Sequence, residues 1–135
     1  MKVIVCVDEY GGMLFGGKRQ SRDPAVSEDI LNDIADRSLF ISPFSKKIFC
    51  AAKNIKIRKN PLLRAKDNDF CFIEDIALLP YVKKIDTIII YNWNRHYPSD
   101  KFFDIPLSEN GFNLSERSEL IGVSHEKITK EIYKK

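Results

Sequence analysis

The stretch Ile85-Asp86-Thr87-Ile88-Ile89-Ile90-Tyr91 decides the fold. Thr87 to Ile90 are four β-branched residues in a row, closed by an aromatic, with no polar residue alternating between them. Such a run predicts a strand covered on both faces, and a strand of that kind belongs in the middle of a parallel sheet flanked by helices. The rest of the chain then has to supply parallel neighbours and the crossovers that join them.

Working outward, Lys2 to Asp8 is a second apolar, β-branched run, read as the first strand, and Glu9-Tyr10-Gly11-Gly12 is turn chemistry that takes the chain off the sheet. A long loop is expected through Gly16-Gly17-Lys18-Arg19-Gln20-Ser21-Arg22. Asp23-Pro24 supplies a helix cap and the residue best suited to the first helical position, after which Val26, Ile30 and Ile34 recur at near-helical spacing to Ala35. Leu39 to Ile41 reads as a strand, Ser42-Pro43 opens a short helix through Phe49, and Ile55 to Ile57 is a half-exposed strand alternating with Lys56. Asp69 to Ile73 is a further strand, followed by a short helix that includes Ile76 to Leu79. Beyond Tyr91 the style changes. Gly111 to Glu116 and His125 to Tyr133 lack a helical period and read as two strands of a terminal hairpin around Ile121-Gly122-Val123.

A chain of 135 residues, 44% hydrophobic and 30% charged, suits one domain spanning 1–135 that folds alone. No stretch has the length of a membrane span and the N-terminal apolar run is too short for a signal peptide, so a cytoplasmic protein without a membrane partner is expected. Cys6, Cys50 and Cys71 are widely spaced among apolar neighbours and read as reduced, buried thiols. The net charge of +3 is modest, but Lys46 to Lys66 carries eight Lys or Arg and no acid, whereas Glu28 to Asp36 carries four acids and no base.

The order of elements resembles dihydrofolate reductase, and the last third carries the likeness in its residues. Ile85 to Tyr91 followed by Pro98-Ser99-Asp100-Lys101-Phe102-Phe103 is similar to that family's strand and "GDTFFP" segment. Phe112-Asn113-Leu114-Ser115 with His125-Glu126 and Glu131-Ile132-Tyr133-Lys134 is similar to its closing hairpin, and Val3 to Asp8 with Gly11-Gly12 to its first strand and following loop. The resemblance implies a three-layer α/β fold with a mostly parallel central sheet, helices on both faces and a C-terminal antiparallel hairpin. Fold of this kind does not carry function with it.

Departures fall where the family's chemistry lies. Where the family places a glycine pair under its cofactor's phosphates, this chain has Ile73-Glu74-Asp75-Ile76, and two carboxylates there repel a pyrophosphate. The family's Gly-Arg-x-Thr turn is replaced by Ser42-Pro43-Phe44-Ser45, its Trp-x-Leu-Pro stretch has no counterpart, and Tyr91 stands where a threonine leaves room for the pterin or nicotinamide. The family's pterin-orienting acid has only Asp23 or Glu28 as candidates. No cofactor is therefore expected.

Several groups remain as candidates. Lys18, Arg19, Gln20, Arg22 and Asp23 lie in the loop that covers the cleft of the resembled fold, and their cations suit an anionic ligand, although Asp23 is also explained as a cap. Ser42, Ser45 and Tyr91 border the same region. Glu74 and Asp75 end a central strand, where open α/β sheets place ligands, and could hold a cation, an amine or a shared proton. The basic stretch and the segment Tyr91-Asn92-Trp93-Asn94-Arg95-His96-Tyr97 would suit RNA backbone and unpaired bases. His96 and His125 lack metal-ligand spacing, the His-x-His-x-Asp-His motif of metal-dependent RNA-processing nucleases is absent, and no nucleophile elbow is recognisable, so neither a metal nor a catalytic residue is expected. The expected function is a non-catalytic small-ligand-binding or regulatory domain, Arg19, Arg22 and Glu74 contacting a small anionic ligand or nucleotide. An RNA-binding protein and a divergent reductase are the alternatives.

Overall fold

A computed structural model describes residues 1–49 and 52–135. Cys50 thus lies outside the described residues. The main sheet is built from β1 (Lys2–Val7), β4 (Leu39–Ile41), β5 (Ile55–Ile57), β6 (Phe70–Phe72), β7 (Thr87–Asn92), β9 (Asn113–Leu120) and β10 (Ile128–Lys134), in the order β5-β4-β6-β1-β7-β10-β9. The first five are mutually parallel; β10 runs antiparallel to β7 and β9 antiparallel to β10. β1 is central, with Lys2 opposite both Phe70 and Thr87.

Side chains on a strand alternate between faces, and the two apolar runs sort accordingly. Val3, Val5 and Val7 of β1 join Ile88 and Ile90 of β7, Cys71 and Ile73 in one core, whereas Ile4 joins Ile89, Tyr91, Phe70 and Phe72 in the other. The second core is roofed by α1 (Pro24–Ile34), whose Val26, Ile30 and Ile34 are buried and whose cap is the Asp23 carboxylate accepting from Ala25 N. The first is covered by short 3-10 segments, Pro61–Leu63 and Leu79–Lys84, together with Ile105 and Phe112.

Two local expectations change. The long loop after Gly12 is instead a second small sheet, in which β2 (Gly12–Phe15) pairs antiparallel with β3 (Lys18–Arg19) and with β8 (Lys101–Phe102). Gly16 and Gly17 both take positive φ, 58° and 73°, which closes the two-residue hairpin turn between Phe15 and Lys18. The helix expected over Ile76 to Leu79 is displaced to a 3-10 segment at Leu79–Lys84, because the Asp104 carboxylate takes the Leu78 and Leu79 amides at 3.1 and 3.0 Å and so sets its start.

Among the described residues the outer edge of β9 has no partner strand, and its residues from Asn113 to Glu119 are exposed, including Glu116, Arg117 and Glu119. Charged side chains on a free edge oppose pairing with another sheet. Because Ile30 is fully buried between α1 and the sheet, Ile30→Ala should lower unfolding stability by about 2–5 kcal/mol in urea titrations without changing the fold's circular dichroism.

Candidate functional site

A narrow cleft of about 20 Å³ opens at the C-terminal ends of β1 and β6, between the β2–β3 hairpin, the start of α1 and the segment after β7. Val26 and Ile30 of α1, Ile48, Phe72 and Trp93 form its apolar wall; Cys6, Arg19, Arg22, Asp23 and Glu74 are its polar members, with Ser21 beside them.

The tightest feature is an ion pair. Arg19, carried in by β3, donates from Nε to Glu74 Oε2 at 2.6 Å and from Nη2 to Oε1 at 2.7 Å, while its guanidinium lies 5.0 Å from the centre of the Phe44 ring and reaches the Phe44 carbonyl at 3.2 Å. Glu74 is 6% exposed, and the fully buried Ser45 hydroxyl donates to its Oε1 at 2.7 Å. The carboxylate in turn holds the Arg19 proton above the usual guanidinium range. Burial first, then the Glu74 charge, pushes the Cys6 thiol far above its ordinary value, so Cys6 stays a thiol. Cys71 is likewise pushed up by burial, to about 12.

A second constellation centres on Asp23. Its Oδ1 accepts from Ala25 N at 2.9 Å and Val123 N at 3.0 Å; its Oδ2 accepts from Ser124 N at 2.9 Å, His125 N at 3.2 Å and faces His125 Nδ1 at 2.9 Å. Burial works to raise this carboxyl's pKa, but the Val123 amide, the imidazole and the other amides outweigh it and hold the group well below the ordinary carboxylate value. The far side of the imidazole, Nε2, meets Ser21 Oγ at 2.8 Å, and the ring is stacked on Trp93 with centroids 4.7 Å apart. Tyr97 Oη lies 3.4 Å from both Ser21 Oγ and His125 Nε2.

The remaining candidates distribute as follows. Ser42 donates to the exposed Asp75 at 2.9 Å, so the two neighbouring carboxylates are engaged separately and do not face a common ligand. Arg22 is exposed at the rim, where its Nη2 donates to the Lys47 carbonyl at 3.1 Å. Gln20 donates to the Pro98 carbonyl at 3.2 Å and to Ser99 Oγ, while its Oε1 is buried without a hydrogen-bond partner among the described residues. Lys18 is exposed and does not line the cleft. Tyr91 does not line it either: it is fully buried beneath α1 and its hydroxyl donates to Asp29 at 2.6 Å. Glu28 is exposed on α1, away from the cleft wall. In the aromatic segment Trp93 is 4% exposed, so its ring is not offered to an incoming base. The basic stretch contributes Arg58, Lys59 and Arg64 to an open groove that also includes Leu63 and Ile76. Among the described residues no three His, Cys, Asp or Glu side chains are grouped to hold a metal, and no helix is long and apolar enough to cross a membrane.

With this geometry in view, the chain is similar to a solved dihydrofolate reductase from Enterococcus faecalis, a complex with NADP(H) and RAB-propyl, at a TM-score of 0.70 over 98% of this chain and 94% of that one. The fold is that of dihydrofolate reductase. Identity in that superposition is 14%, so the likeness marks a divergent member of the fold and extends to architecture alone. No family model matches the sequence. No curated protein matches it either.

Of the residues named from the sequence, Arg19, Arg22, Asp23 and Glu74 line this cleft; Trp93 is named there as a base-stacking group, Cys6 as a buried thiol and His125 only as lacking metal-ligand spacing, and Ser21 is not paired with His125. His125 meets Asp23 across 102 residues of chain, a separation that no local pattern encodes.

Two outcomes follow from the electrostatics. Arg19→Ala leaves Glu74 buried and uncompensated and should cost about 3 kcal/mol or more in urea unfolding, with Arg19→Ala/Glu74→Gln recovering part of it. Asp23, Asp8 and Asp86 all have lowered carboxyl pKa values in the fold. Their stabilisation is therefore in place above the ordinary value of 3.8 and is lost as pH falls through it. Unfolding free energy measured from pH 7 to pH 3 should drop below about pH 4, with a shallower slope in Asp23→Asn.

Proposed function

We propose that the chain is a small-ligand-binding or regulatory domain that uses the dihydrofolate-reductase fold without that enzyme's hydride transfer from a nicotinamide cofactor. The observation that carries this reading is the buried Glu74 carboxylate, clasped by Arg19 and Ser45 at the C-terminal end of β6. In the resembled family this junction is a glycine pair whose amides approach a pyrophosphate. Here a carboxylate side chain and its guanidinium partner fill that approach, so the residues present do not fit a nicotinamide dinucleotide.

The cleft instead supports a smaller occupant. Its enclosed volume of about 20 Å³ is well short of the range for preformed small-molecule sites, so a ligand enters by displacing rim side chains such as Arg22. The lining of Val26, Ile30, Ile48 and Phe72, with the nearly buried Trp93 among it, is apolar, and the rim cation Arg22, exposed and held only through a carbonyl, suits an anionic end. An aromatic carboxylate combines the two. Arg22, and not the ion-paired Arg19, is the cation free to meet it.

The RNA reading keeps one specific support, the groove bearing Arg58, Lys59 and Arg64. Binding there would weaken steeply with salt, because each neutralised phosphate releases counterions.

Trp93 is the sole tryptophan and lines the cleft, so its fluorescence reports occupancy directly. Titration with 4-hydroxybenzoate should change Trp93 emission and raise the melting temperature, and Arg22→Ala should weaken binding about tenfold, a loss near 1.4 kcal/mol. NADPH should leave the melting temperature unchanged. Stabilisation by NADPH, or an aromatic carboxylate series without effect on Trp93, would overturn the reading.

A further inference from the structure

We propose that Ser21, His125 and Asp23 form an acyl-transfer triad, with Ser21 the nucleophile toward small carboxylic esters whose apolar acyl group lies in the cleft. This goes beyond binding, and it does not require the ligand class named above.

Asp23 is an ionised acceptor at both oxygens, so the imidazole must carry its proton on Nδ1, 2.9 Å from Oδ2. In the neutral ring Nε2 then presents a lone pair, and the Ser21 hydroxyl, 2.8 Å away, is placed to donate to it. That polarity, carboxylate to imidazole to hydroxyl, is what turns a serine into a nucleophile. Stacking against Trp93 fixes the ring plane. The Asp23 carboxylate and the imidazole are almost wholly buried, whereas Ser21 is half-exposed on the cleft wall. Capping α1 needs only the Ala25 contact; it does not explain an imidazole bridging Asp23 to a serine at the cleft. A Cβ at Gly122 would collide with the His125 carbonyl and the Asp23 carboxylate, so the glycine is what permits the close approach. The Tyr97 hydroxyl, 3.4 Å from Ser21 Oγ, is a hydrogen-bond donor beside the nucleophile.

The chemistry balances with water as the only co-reactant. Ser21 Oγ attacks the ester carbonyl carbon while Nε2 takes its proton. The tetrahedral intermediate collapses, breaking the bond to the leaving oxygen, which receives that proton from Nε2 and departs as an alcohol. Water, deprotonated by Nε2, then attacks acyl-Ser21, and the carboxylic acid leaves as the proton returns to Oγ.

The test uses the full chain with p-nitrophenyl acetate and, separately, a fluorophosphonate. The expected result is a fluorophosphonate adduct mapped by mass to Ser21, and ester hydrolysis that falls about a hundredfold or more in Ser21→Ala and in His125→Gln. His125 is in the core, so Ser21→Ala, nearer the rim, is the decisive variant, its folding checked by Trp93 emission and circular dichroism. Hydrolysis by Ser21→Ala at the wild-type rate, or adducts on lysine or tyrosine with Ser21 unmodified, overturns the proposal. The aromatic-carboxylate titration of Ser21→Ala reads the binding function separately, because the apolar wall is untouched.

Discussion

Much of the molecule hangs on one carboxylate. Asp23 stops the chain after the β2–β3 hairpin, starts α1 by accepting from Ala25, and gathers the amides of Val123, Ser124 and His125 from the far end of the sequence. The buried His125 amide, left unmet, would cost about 1–3 kcal/mol, whereas the part-buried Ala25, Val123 and Ser124 amides would turn to water. The same group orients the imidazole that Trp93 covers. Helix, terminal hairpin and cleft floor are therefore registered against one another by a single side chain, and the placement of Val26 and Ile30 on the cleft wall follows from where that side chain begins the helix.

The second constraint is charge neutrality in a confined place. A carboxylate at 6% exposure is tolerated at Glu74 only because a bidentate guanidinium and a buried hydroxyl meet it. The arrangement uses the ligand-facing end of an α/β sheet for an internal contact. Arg19 reaches it from a hairpin that the Gly16-Gly17 turn folds back over the cleft, so a local backbone feature and a long-range ion pair depend on each other.

The parts of the fold readable beforehand were those written in period. Thr87 to Tyr91 and Val3 to Val7 declare a doubly covered sheet, and Asp23-Pro24 with Val26, Ile30 and Ile34 declares the helix. The β2–β3 hairpin was legible in Phe15-Gly16-Gly17-Lys18 but was outweighed by the polar run that follows it. The 3-10 start at Leu79 was hidden because its cap, Asp104, is remote in sequence. The site divided in the same way. Arg19 and Glu74 stand out as charges at informative positions, although nothing local says that they pair, while Tyr91 looked like a wall of the cleft because strand position alone does not say that its hydroxyl turns under α1 to Asp29. Ser21 and His125 become a pair only when the hairpin connection closes on Asp23.

The central place of β1 governs how this chain assembles during synthesis. Lys2 to Val7 leaves the ribosome well before its two neighbours in the sheet, β6 and β7, with Lys2 opposite Phe70 and Thr87. An apolar strand therefore waits, unpaired on both sides, until β6 and β7 have followed it, and the loop closures that seat it are long ones. The latch between Asp23 and His125 comes later still, after β9 has been translated. Nascent chains shorter than this lack the Asp23 contacts that tie the start of α1 to the terminal hairpin, and the wait for β6 and β7 places a demand on whatever shields Val3, Ile4 and Val5 in the meantime.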